Sequence, residues 1–331
     1  MNTQDARPTF AVRSFPRRFF VGFALGIAGL CAAAAPLPET ASAASCPPQP
    51  EPLTRELMLK AQQQATDRGF LWRISRDGRD SYLYGSLHAG RPEWFALGPR
   101  TEASLHRTGV LALEINVTDP AVLAALREAT QGPGRRLPDG LMQSLRSAWA
   151  AECLSEADLS QGAVEYHAMQ LAVAQAQRQG FFPLYGAESV LLMRSLGAGR
   201  PVVGLESVET QLAALLARDD AEAAAMVQDA LDELKDPKSA TSLARLSRAW
   251  AGGDLKELES YADWCECLGS ASAREAQERL VGGRNPGMAD AIERLHGSVS
   301  VVAAVGALHL VGPTGLPQLL KHKGFKLTRV F

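Results

Sequence analysis

Two segments, 221 residues apart, constrain this chain more than any other feature. YLYGSLH at 82–88 and VVAAVGALH at 301–309 each run from an apolar strand-like stretch into Gly-x-x-His. GVLALEI at 109–115 and SVSVVAAV at 298–305 are apolar over most of their length. An apolar run without polar alternation reads as a strand covered on both faces, the environment of a sheet with helices packed over it.

The rest of the chain supplies those helices. FLWRI and SYLYG, with the turn formers Asp77, Gly78 and Asp80 between them, predict a hairpin. Helical patterns cover Pro99 to Thr108, most of 119–176 with QGPGRRLPDG interrupting, and Ala187 to Ala198 with Gly199 as the stop. A short strand, PVVGL at 201–205, follows. Residues 208–279 are helical, acidic and alanine-rich, and read as solvated scaffold. LPQLLKHKG predicts a helix ended by Gly324, before a final strand, FKLTRVF at 325–331. The expectation is an α/β fold: a central mixed sheet with long helical insertions, one domain over residues 44–331, and a ligand cleft at the strand ends.

Residues 1–43 read as a signal peptide. Arg7, Arg13, Arg17 and Arg18 precede the apolar run from Phe19 to Ala35, and ASA at 41–43 offers a small-residue cleavage site after Ala43. An uncleaved anchor is the alternative. PRRFF is similar to a twin-arginine signal but lacks its usual preceding Ser and downstream Lys, so Sec export to the periplasm or medium is the first expectation, with no stable membrane span after processing. Removing the segment takes the formal charge from -2 to -4. Nothing in that balance argues for a nucleic-acid partner. The oligomeric state stays open.

Four cysteines would remain: Cys46, Cys153, Cys265 and Cys267. An oxidising compartment permits disulfides, and the close spacing of Cys265 and Cys267 argues against a mutual bond. The expectation is that one pairs with Cys153 and the other with Cys46; a C-x-C metal or redox pair is the alternative.

The chemistry-bearing residues sit at strand ends. His88 and His309 close the two tetrads, Glu114 ends LALEI, and Glu206 and Glu209 follow PVVGL. A carboxylate in such buried surroundings needs a cation, a metal or strong donors. Two histidines and a carboxylate make a first shell for a divalent ion of the Mn, Co, Fe or Zn kind. Glu209 reads equally as a helix N-terminal carboxylate. Arg284 and Asn285, in VGGRNPGM, could orient a substrate carbonyl, or Arg284 could clamp Glu114 or Glu206. Trp94 and Phe95 line a cleft or belong to the core. His106, His167, His296 and His322 have no matching environment. There is no G-x-S-x-G, H-E-x-x-H, Walker loop or dinucleotide fingerprint.

YLYGSLH, LALEI, GAESVLL at 186–192, PVVGLESVETQL at 201–212, RNPGMADAI at 284–292 and VGALHLVGPTGLPQLLKHKGFKL at 305–327 together resemble the TraB/GumN family, itself similar to the Tiki metalloproteases. By that resemblance the family's paired histidines fall on His88 and His309 and its early acid on Glu114. The G-L-E glutamate falls on Glu206, with Glu209 and Gln211 trailing, and the Arg-Asn pair on Arg284 and Asn285. Where relatives often have G-x-D, this chain carries Glu188. The resemblance implies a metal-dependent hydrolase, a peptidase in the Tiki-like members. His88, Glu114 and His309 would hold the metal, Glu206 would act as general base, and Arg284 or Asn285 would stabilise the oxyanion. The substrate would be a peptide or small molecule. The opposing expectations are a non-catalytic envelope protein that binds a metal chelate, a porphyrin or a polymer, and an ester hydrolase like the erythromycin-esterase-like proteins.

Overall fold

The computed structural model describes residues 46–331 apart from Pro133, Glu266, Gly269 and Ser270, so the signal peptide expected over 1–43 lies outside the described residues. Strands β1 (Phe70–Arg76) and β2 (Arg79–Ser86) pair antiparallel. Asp77 and Gly78 both take positive φ, 51° and 75°. A two-residue turn of that kind matches the right-handed twist of the flanking strands. Asp80, expected in the turn, instead pairs with Ser75 inside the ladder.

Four further strands complete the sheet: β3 (Val110–Leu113), β4 (Val202–Gly204), β5 (Val301–Gly306) and β6 (Lys326–Arg329). Their order is β4-β3-β5-β2-β1-β6. β4, β3, β5 and β2 are mutually parallel, and β1 runs against both its neighbours. The mixed sheet is therefore as expected. β5 fills the gap between β3 and β2, and all six of its residues are buried. Ala303 pairs with Leu83 on one side and Ala112 on the other. Small residues there let helices approach the sheet closely, and helix Asn285–Ser298 packs on β5 while helix Ala187–Gly197 packs on β3 and β4.

The two long insertions leave the sheet between β3 and β4 and between β4 and β5, and they meet each other. Helix Val164–Arg178 and helix Asp139–Ala151 pack on helix Asp220–Lys235. Leu145, Trp149, Leu171, Val227 and Leu231 form an apolar cluster of their own there. The acidic, alanine-rich stretch is thus more than solvated scaffold, since one face of helix Asp220–Lys235 buries Ala223, Val227 and Leu231. Trp94 belongs to the core, 5.4 Å from Trp250 between ring centroids.

Cys46 is bonded to Cys153, and Cys265 to Cys267. This corrects the expected pairing. The backbone bends at Cys265, whose φ and ψ are helical, so the i and i+2 Cα atoms come to 5.1 Å, within the span a disulfide bridges. Disulfides persist in oxidising compartments, which points outside the cytoplasm. Among the described residues no helix is long and apolar enough to cross a membrane.

Candidate functional site

Parallel strands bring their C-terminal ends to one edge of the sheet, and four side chains follow from four adjacent strands. Glu206 comes two residues after β4, Glu114 directly after β3, His309 in the single turn Ala307–Leu310 after β5, and His88 two residues after β2. Glu206 N donates to Glu114 O at 3.0 Å, which extends the β3–β4 pairing into the site and holds the two acids side by side.

Arg284 lies between them. A π-helical turn, Glu278–Gly282, leads into helix Asn285–Ser298, and Arg284 stands at the junction. Such turns are frequent where a helix presents functional side chains. Arg284 Nη2 donates to Glu114 Oε2 at 2.6 Å, and Nε donates to Glu206 Oε2 and Oε1 at 3.0 and 3.2 Å. Nη1 is engaged by Leu280 O at 2.9 Å. Of the roles left open for Arg284, the structure displays the clamp on both carboxylates. Glu114 Oε1 also accepts from Gly306 N at 2.8 Å, and Gln211 Nε2 lies 3.4 Å from Oε2.

The electrostatics separate the two acids. Burial opposes the charge on Glu114, yet His309, Arg284, His88 and the Gly306 N–H hold its carboxyl well below the usual carboxylate range. Burial raises Glu206, Glu114 adds to this, and Arg284 only partly offsets it, leaving the group at about 7. Burial and the two acids act oppositely on Arg284, whose guanidinium is held more firmly charged than usual.

The two imidazoles are each fixed through Nδ1. Asn285 Nδ2 donates to Thr314 O at 2.8 Å, which sets the amide so that its Oδ1 accepts from His309 Nδ1 at 2.6 Å. Burial, with Arg284 and His88 opposing the pull of Glu114, pushes His309 down to about 4, so the ring is neutral at pH 7. Its Nε2 stands 3.8 Å from Glu114 Oε1. His88 Nδ1 donates to Glu188 Oε1 at 2.8 Å. Burial works against protonation of His88, but Glu188, helped by Glu114, pushes it up to about 9. Ser86 Oγ contacts the same Glu188 oxygen and lies 2.8 Å from Val305 O.

Two imidazoles and a carboxylate suit a divalent ion in kind. Both rings are held through Nδ1 by an acceptor, as ligating histidines usually are, so His309, and His88 once it gives up its proton, would turn Nε2 to an ion. Glu114 is shared with Arg284, and among the described residues no three His, Cys, Asp or Glu side chains lie close enough together to hold an ion as they stand.

Six of the seven residues singled out as chemistry-bearing, His88, Glu114, Glu206, Arg284, Asn285 and His309, are linked by these contacts and charge interactions. Glu209 is exposed in the first turn of helix Val208–Leu215, apart from them. Sequence reasoning missed Ser86 and the Thr314 carbonyl. Ser86 could have been found, because it lies two residues before His88 at the strand's end and carries a hydroxyl directly after the stretch at 82–85. A carbonyl has no sequence signature.

The model of the TraB/PrgY/gumN family matches residues 70–329. The uncharacterized protein YbaP of Shigella flexneri and that of Escherichia coli (strain K12) are each 27% identical over 243 residues, covering 73% of this chain and 88% of theirs. No solved structure matches.

Proposed function

The chain belongs to the TraB/PrgY/gumN family, and from that premise we propose that it is an exported hydrolase, acting in the periplasm or outside the cell on a peptide-type carbonyl by activation of water. The observation that carries this reading is the separation of two adjacent buried acids by one arginine: Glu114 firmly ionised, Glu206 poised at about 7. A carboxylate with a pKa near the operating pH is suited to take a proton from water and return it to a leaving group.

A divalent ion would be held by His88, Glu114 and His309, and when bound would polarise the substrate carbonyl and acidify the water. Glu206 takes the water proton. Arg284 neutralises the pair of acids and keeps Glu114 charged. Asn285 and Glu188 act as positioning residues that hold His309 and His88 by Nδ1. Arg284 donates to Glu114, Glu206 and Leu280 O, and Asn285 Nδ2 to Thr314 O, so these donors hold the site together instead of facing an oxyanion.

The test is a peptide-library assay of the purified mature protein with and without added Mn, Co, Fe or Zn, run beside elemental analysis. Metal-stimulated cleavage that disappears in folded His88→Ala, His309→Ala and Glu206→Gln variants is expected. Cleavage unaffected by these changes, or no cleavage with any metal, would overturn the proposal.

A further inference from the structure

The two disulfides differ in what they can do for the fold. Cys46–Cys153 joins residues 107 positions apart, whereas Cys265–Cys267 joins residues 2 apart. A cross-link restricts the unfolded chain according to the loop it closes, and a bond across one intervening residue restricts it almost as little as any disulfide can. By linkage, a bond that adds little to folding is also held little by folding. The fold can carry Cys265 and Cys267 either bonded or as two thiols.

The surroundings suit the reduced form as well as the oxidised one. Cys267 N donates to Cys265 Sγ at 3.1 Å, and Tyr261 Oη lies 3.8 Å from Cys267 Sγ. Cys265 Sγ thus faces a backbone donor of the kind that stabilises a thiolate. The pair lies just below the surface: Ala262 and Asp263 are exposed, and each cysteine keeps 8% of its own surface open.

We propose that Cys265–Cys267 is a redox-active pair that undergoes thiol–disulfide exchange with a dithiol, independently of the hydrolytic site, while Cys46–Cys153 is the structural bond. In the exchange one thiolate of the dithiol attacks a sulfur of the pair and releases the other as thiolate. The second thiol of the reductant then displaces the first cysteine sulfur. Two electrons and two protons pass to Cys265 and Cys267, and the dithiol leaves as its disulfide.

The probe is dithiothreitol at graded ratios of its reduced and oxidised forms, under native conditions, followed by alkylation and peptide mass spectrometry. Cys265 and Cys267 are expected to become alkylated at a ratio of reduced to oxidised reagent on the order of 10²-fold lower than Cys46 and Cys153 require. The melting temperature should stay unchanged across that window. A Cys265→Ser/Cys267→Ser double variant should show the same melting temperature and a single remaining reduction step. Both bonds opening together, or a melting temperature that falls as Cys265 and Cys267 are reduced, would overturn the proposal.

Discussion

Asn285 Oδ1 accepts a 2.6 Å hydrogen bond from His309 Nδ1, so the first residue of one helix decides which nitrogen of a buried imidazole faces Glu114. Removing the acceptor frees the ring to take the other tautomer. Asn285→Ala should lower turnover by about 10- to 100-fold while the protein stays folded. Asn285→Asp should place a charge beside Nδ1 and raise the His309 pKa from about 4. Nitrogen NMR of labelled histidines in the two variants reads both effects directly; an unchanged His309 spectrum in Asn285→Ala would count against this role.

Arg284 is the only cation contacting Glu114 and Glu206 through hydrogen bonds among the described residues. Arg284→Met leaves two buried acids side by side, and the expected loss of stability is about 3–5 kcal/mol. Adding Glu206→Gln should restore part of it, because one of the uncompensated charges is then gone. Chemical denaturation of the single and double variants checks this; equal stabilities would mean that Glu206 simply protonates in the Arg284→Met background.

Glu206 is raised to about 7, so it is mostly neutral below that pH and mostly ionised above it. A base works in its ionised form. Turnover should therefore climb as pH rises through about 7, and the Glu206→Gln variant should show a low rate without that limb. Rate profiles between pH 5 and 9, at saturating substrate, decide the point.

Gly186 approaches the main chain of the His88 segment. A Cβ there would lie 2.2 Å from His88 O and 2.6 Å from its carbonyl carbon, both backbone atoms that cannot swing aside. Gly186→Ala should cost about 1–3 kcal/mol and displace His88 from Glu188. A variant with native melting temperature and native turnover would show that the segment shifts without strain.

How much of this was legible beforehand depends on the kind of interaction. The hairpin, the buried strands and the stops at Gly199 and Gly324 follow from periodicity and turn chemistry, and both glycines take the positive φ their role requires. The gathering of His88, Glu114, Glu206 and His309 follows from placing each at a strand end, once the strands are parallel. The sequence left two roles open for Arg284, because a side chain with five donors suits a substrate or a carboxylate equally; only the fold sets its distance to Glu114. The cysteines misled, because spacing along the chain says nothing about a local bend at Cys265.

The place of β5 between β3 and β2 has a consequence for how the protein comes into being. The sheet has a gap until residues 301–306 arrive, and His309 follows them. On the ribosome, about nine-tenths of the chain is made before that strand exists, and its pairings are with strands made long before it. High contact order of this kind makes closure late and slow. The chain therefore carries His88, Glu114 and Glu206 well before it has an assembled centre, and whatever chemistry the site performs begins only once the last strand is inserted.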